Sequence, residues 1–506
     1  MKNLTITLLV IIVASGLINA NPQQQKTPVE KSSLQAREVL EAGLKAMGGV
    51  DELQKIADIT REMSGTRSDE GQGMMPVWPR VAEPPVLAQP KMKSVRDIRG
   101  GRAYEEVEAV IFGGQPLHFK SVVAGANGFA VSEMAKEVRS LPPAAVNNAR
   151  AARFRRHPES LLLTALNRPE ALRWLGEGEF AGRKQRVISF ADADGTEVAL
   201  YFDATNNLLT KAEYLNDDPV LGDIATETVY ADWKTVEKVV LPFRYIDRVG
   251  GSVLQDLRVT SVTINTHPPD SLFTIPEGYA KAEPLPPVPT VKKLGDDVYA
   301  LLGPYNSLFV VFNDYVLVVE AGANNRYSAA AIAEIKKIAP DKPIRYLVST
   351  HFHFDHLSGV RSYIAEGSTI VTTPTAKSVI ERIANTSHVM RPDALSRNPK
   401  TPVIETIADK RMFEDGVHQV ELYRFASPHA GEIIVAYLPK QKLLFEADML
   451  DISEAGRVVA GDDTVDLAKQ IERRGLQVET IIPVHGRIGT LADLTGAVTE
   501  RVSKRE

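Results

Sequence analysis

A chain of 506 residues is too long for one ordinary core, and length alone suggests about three domains. Its 44% hydrophobic and 24% charged residues are those of a globular protein, and a formal net charge of -5 argues against nucleic acid, which would select a basic face. With no cysteine in the chain, any metal must be held by His or carboxylate, and a lipid-modified amino-terminal Cys is excluded.

Residues 1–20 have the layout of a secretory signal peptide. Lys2 precedes an apolar run from Leu4 to Ile18, and cleavage is expected after Ala20. The run is shorter than the ~20 residues that span a bilayer, and no later segment is apolar enough. The expected location is periplasmic or secreted, with no stable membrane span after cleavage. Residues 21–33 are polar and read as a loose mature terminus. Leu34 to Met47 reads as a helix, with Val39, Leu40, Leu44 and Met47 at helical spacing and Gly48-Gly49 as its stop.

Five prolines between Met74 and Pro90 exclude a helix or a central strand there, so the segment reads as an irregular surface loop. From about Lys91 to Ile275 the pattern is strand, with turn signals at Asp194-Gly195, Thr205-Asn206-Asn207 and Gly250-Gly251. Residues 159–175 read as a helical interruption. Arg150, Arg153, Arg155 and Arg156 read as a solvated helix face. A large antiparallel-sheet domain over 34–280 follows, and Pro284, Pro286, Pro287 and Pro289 mark a stiff linker over 281–290. Beyond it, over 291–506, short strands alternate with helices. Strands are expected at 298–302, 308–312, 316–320, 344–349, 369–373, 419–425, 432–438, 442–446 and 479–483. Helices are expected at 328–338, 374–385, 464–475 and 491–504.

Chemistry concentrates at the ends of these strands. Thr350-His351-Phe352-His353-Phe354-Asp355-His356 follows the apolar run Ile344–Ser349. Alternation along an extended segment puts His351 and His353 on one side, and the turn that follows lets Asp355 and His356 approach from another. Two ligand pairs facing neighbouring points suit a pair of metal ions. His429, Asp448 and His485 each close or follow a later strand-like run beside small or turn-forming residues. His418 falls outside this pattern and reads as structural; His118, His157, His267 and His388 carry no motif.

HFHFDH, SPHAGE, FEAD and PVHG, in this order over residues 290–506, resemble the metallo-β-lactamase fold superfamily. The resemblance implies an αββα sandwich with the metals at one edge, so the whole chain is expected to be α+β in two domains. It also implies the ligand assignment: His351, His353 and His429 for one ion, Asp355, His356 and His485 for the other, and Asp448 bridging them. The bridging Asp makes the site similar to glyoxalase-II-type and lactonase-type hydrolases. Where the superfamily has a supporting Asp behind the metal loop, this chain has Glu320. Residues 30–280 resemble periplasmic lipoprotein-carrier domains in strand pattern alone.

The expected cofactor is two Zn2+ per chain, with Fe or Mn accepted by the same donors. Two zinc ions sharing a water lower its pKa towards neutrality, so the expected reaction is hydrolysis of an ester, lactone, thioester or amide in a small-molecule substrate, with Asp355 orienting the nucleophile. Three other readings fit the residues: a β-lactam hydrolase, a mononuclear iron enzyme oxidising sulfur compounds, and a binding protein carrying a lipid or apolar ligand on its N-terminal sheet.

Overall fold

The computed structural model describes residues 26–68, 71–76, 83–110, 116–282, 288–322, 324–453, 456–458 and 460–503. The expected signal over 1–20 and the centre of the proline-rich linker lie outside them. No described helix is long and apolar enough to cross a membrane.

The chain is a mixed α/β structure with one large sheet in its N-terminal half and two smaller ones after it. The first described element is the helix Pro28–Ala46, six residues longer at its start than the apolar spacing predicts. The loose-terminus reading of 21–33 is therefore corrected from residue 28 onward. Thr27 caps the helix, Pro28 sits in its first turn with φ preset for a helix, and the Glu30 carboxylate accepts in return from the Thr27 amide (2.7 Å), completing a capping box. Thr27→Ala is expected to cost about 1 kcal/mol, read as a lower midpoint in urea unfolding.

Behind this helix a fifteen-stranded sheet runs as an almost wholly antiparallel meander. Its first strand, Asp58–Ser68, lies at the centre, between Lys91–Asp97 and Ser252–Ile264. The three turn signals fall where hairpins occur. Gly250 and Gly251 both have positive φ between Val239–Val249 and Ser252–Ile264, the backbone a tight two-residue hairpin demands. The expected helix over 159–175 is present as Pro158–Leu166 but ends there, its last residues entering the strand Arg173–Phe180, and a further helix, Pro143–Arg156, precedes it. Pro143 and Pro158 each open a helix, a start signal that the apolar spacing alone did not carry. Nor do the arginines form a solvated face. Arg153 pairs with Glu105 (2.9 Å), Arg155 with Asp192 (2.7 Å) and Arg156 with Asp247 (3.1 Å), fastening the helix to the sheet.

The linker expectation also shifts: residues 281–282 end the strand Ala280–Ala282, and residue 290 opens Thr290–Gly295. After it come a seven-stranded and a six-stranded sheet packed face to face. Their inner strands, such as Ser307–Val311, Val316–Val319 and Leu443–Glu446, are buried on both sides, which explains the near-continuous apolar runs. In Ser307–Val311, Leu308 and Val310 point between the sheets while Phe309 and Val311 point under the helices; in Val316–Val319 the same split places Leu317 and Val319 inward. This layering is the expected sandwich. Strand ends gather at one edge, and the HFHFDH segment leaves Ile344–Val348 there.

Several contacts join the halves. Val220 enters the core of the second half, and Asp217 accepts from His388 Nδ1 (3.0 Å), so the buried His388 is a structural tie and not incidental. The segment 71–76 meets the turn around Phe354, where Phe354 N donates to Gly71 O (3.2 Å).

Candidate metal centre

The structure brings all seven expected residues to the sandwich edge, in two overlapping sets. His351, His353, His429 and Asp448 present ligand atoms within 4.8 Å of one another, and so do Asp355, His356, Asp448 and His485. The two sets share Asp448. Its Oδ2 lies 2.9 Å from His356 Nε2, 3.0 Å from His429 Nε2 and 3.7 Å from His351 Nε2, while its Oδ1 lies 3.1 Å from His485 Nε2.

Backbone geometry aims these groups. Asp448 follows the strand Leu443–Glu446 with φ +61°, and Glu320 follows Val316–Val319 with φ +78°. Left-handed conformations cost energy in residues with a Cβ, and here both turn a carboxylate inward at a strand end. Asn306 holds the loop carrying His485, donating to Pro483 O (2.9 Å) and Gly486 O (2.8 Å).

Hydrogen bonds orient the rings. Glu320, fully buried, accepts from the Thr350 hydroxyl (2.7 Å), which in turn stands 3.1 Å from His351 Nδ1. With the hydroxyl proton given to Glu320, Thr350 accepts from the His351 Nδ1–H, so the Nε2 lone pair turns into the cluster, where it is buried without a hydrogen-bond partner. Glu320 also stands 3.4 Å from His356 Nδ1, so the longer Glu side chain reaches the supporting position that the resemblance assigned to it. The fully buried Asp463 lies 4.0 Å from His429 Nδ1. Tyr305 donates to Asp355 Oδ2 (3.0 Å) and stacks edge-on against His485.

The electrostatics fit cations. Burial and the neighbouring imidazoles of His356 and His353 hold His351 well below the ordinary histidine range. Burial pushes His356 the same way, but the Asp448, Asp355 and Glu320 carboxylates outweigh it and hold His356 well above that range. Burial would raise Asp448, yet His356 and His485 hold it well below the usual carboxylate value. Among the described residues, the ion-pair partners of Glu320, Asp355 and Asp448 are all histidines. Three carboxylates among imidazoles form a concentrated negative site, costly to bury unless a cation joins it. The donor atoms are all nitrogen and oxygen, a set that zinc, iron and manganese accept.

Exposure differs between the sets. The His351, His353 and His356 side chains are fully buried, whereas Asp355 is 31% and His485 30% exposed. The cluster therefore opens to solvent on the Asp355–His485 side. The segment from His388 to Pro402 lines a 530 Å³ cleft with Arg361 that includes none of the seven residues. Sequence reading missed Tyr305, Asn306, Asp463 and Gln72. The first two sit in a short loop with no motif, and Asp463 reads as an ordinary acidic residue in the first turn of a helix.

Comparison with known proteins agrees with this geometry. Residues 300–485 match the model of the metallo-beta-lactamase superfamily. A linear primary-alkylsulfatase from a Pseudomonas species is 23% identical over 209 residues, which is 34% of this chain and 39% of that enzyme. The chain thus matches well under half the length of that relative. Among solved structures, a metallo-beta-lactamase from Pontibacter korlensis is 21% identical with a TM-score of 0.33, covering 42% of this chain and 97% of that one. The DIM-1 metallo-beta-lactamase is 18% identical with a TM-score of 0.32, covering 42% and 97%. The match to the metallo-beta-lactamase superfamily model thus spans residues 300–485, the segment that carries all seven residues of the site.

Proposed function

We propose that the protein is a dinuclear zinc hydrolase acting on a small ester, lactone, thioester or amide. The observation that carries this reading is the single carboxylate of Asp448, which touches ring nitrogens of both ligand sets. His351, His353 and His429 would hold one ion, Asp355, His356 and His485 the other, with Asp448 between. When bound, such a pair makes a water nucleophilic near neutral pH and polarises the bond under attack. The protein's own groups do the rest. Asp355 is kept below the ordinary carboxylate range by His356 despite its burial, so it is an acceptor at neutral pH. Tyr305 and Gln72 each engage one of its oxygens, which fixes its orientation on the exposed side of the site. From there it can take a proton from the nucleophile and pass it to the leaving group. Glu320 and Thr350 keep the buried imidazoles aimed.

The alkylsulfatase relative favours a second reading, cleavage of a primary alkyl sulfate ester at the same site. A screen of the zinc-loaded full chain over lactones, thioesters, aryl esters, β-lactams and alkyl sulfates separates the two. Chelation is expected to abolish turnover and zinc to restore it. Full turnover by metal-free, folded protein would overturn the proposal, and one iron per chain with sulfur oxidation would replace it. Export, read from the run Leu4–Ile18, is part of the proposal and is checked by sequencing the mature amino terminus.

A further inference from the structure

We infer that the N-terminal half of the chain completes the metal centre: Gly73 and Gln72 are positioning residues for His353 and Asp355, so cation binding and the seating of this loop are coupled. This rests on the metal reading above and adds to it residues 283 and 280 positions away in the chain.

The loop 71–74 meets the HFHFDH turn at three points. Gly71 O accepts from Phe354 N (3.2 Å). Gln72 Nε2 donates to Asp355 Oδ1 (2.6 Å). Gly73 O accepts from His353 Nε2 (2.8 Å), a bond buried from solvent. The approach is close enough to require glycine on both sides. A Cβ on Gly71, at φ +92°, would stand 2.5 Å from the Phe354 ring. One on Gly431, at φ +69° and two residues past His429, would stand 2.8 Å from Met74 O.

His353 differs from the other imidazoles of the cluster. His356, His429 and His485 turn Nε2 to Asp448 at 2.9–3.1 Å, and His351 Nε2 lies 3.7 Å from it. His353 turns Nε2 to a backbone carbonyl instead. A carbonyl can only accept, so it fixes the proton on Nε2 and leaves Nδ1 as the basic nitrogen of that ring. The tautomer of one ligand is thus set by the backbone of the large-sheet half. Gln72 plays the matching part at Asp355: its amide occupies one carboxylate oxygen while Tyr305 occupies the other. Removing such supports of metal ligands typically costs about 10–100-fold in affinity. By linkage, zinc must in turn hold the loop more firmly in place.

The test is zinc competition against a chromophoric chelator, on the full chain and three variants. Gly71→Ala, which pushes the loop off Phe354, is expected to weaken zinc about 10–100-fold. Gln72→Ala and Gln72→Leu, both of which remove the donor to Asp355 Oδ1, are expected to weaken it as well. All three variants within twofold of the parent would overturn the inference. Gln72 is only half-buried, so its variants report even if Gly71→Ala fails to fold. Loss of slow solvent exchange at the His353 Nε2–H in Gly71→Ala, followed by imidazole-labelled NMR, is the second expected result; an unchanged signal contradicts the role of Gly73. A parent chain that binds no zinc would defeat the proposed function instead, and the NMR comparison would still read the Gly73 contact.

Discussion

Asp448→Ala is expected to abolish stoichiometric zinc binding and to lower hydrolysis by far more than the about 100-fold that loss of a residue merely supporting a ligand costs. The reason is geometric. His356 and His429 approach one oxygen of this carboxylate within 3.0 Å, and His485 approaches the other at 3.1 Å. Without it, five imidazoles converge around a void, and each of the two proposed ions would lose an anionic donor. Asp448→Asn keeps the shape and removes the charge, so it should retain the fold while binding at most one equivalent. Zinc measured per chain, together with turnover, reads both variants. An Asp448→Ala protein with two zinc ions and parental rate would show that the ions lie elsewhere.

Glu159→Gln is expected to destabilise the N-terminal half by about 3–5 kcal/mol, because it strands two guanidinium groups. Glu159 is 1% exposed and pairs with the equally buried Arg61 at 2.9 Å and with Arg96 at 3.2 Å. Burial raises the Glu159 carboxyl, but Arg61 and Arg96 outweigh it and hold it below its ordinary value. A depressed carboxylate stabilises the fold above the unfolded pKa of about 4.3, and that contribution fades as pH falls below it. The loss should therefore be full at pH 7 and shrink in acid. Urea unfolding at two pH values measures it, and a triple replacement, Glu159→Leu with Arg61→Met and Arg96→Met, should recover much of the difference because none of the three charges is left unpaired. A single variant as stable as the parent at pH 7 would contradict this account of the pair.

The second half of the chain was legible because its strands are buried on both faces. A run such as Val316–Val319 has no polar alternative, and Asn313-Asp314 before it and Gly322 after it set its limits. The helix Pro374–Ala384 announces itself with Thr373 as cap and Pro374 at its first position. The seven polar residues of the site stood out for a related reason: His and Asp directly after such runs are not needed by the fold. Where start signals and apolar spacing disagree, spacing alone misplaced the boundary, as at Pro28 and Pro143. Contacts made across the chain left no local trace. Gln72, Gly73 and Tyr305 reach the site from loops whose composition says only that they turn. The arginines of Pro143–Arg156 looked solvated because their partners Glu105, Asp192 and Asp247 lie in three different strands or turns.

Anomalous diffraction at the zinc edge, from crystals of the full chain, tests the central claim most directly. Two peaks are expected, one among His351, His353 and His429, the other among Asp355, His356 and His485, with Asp448 touching both. A single peak, or density away from Asp448, would contradict it.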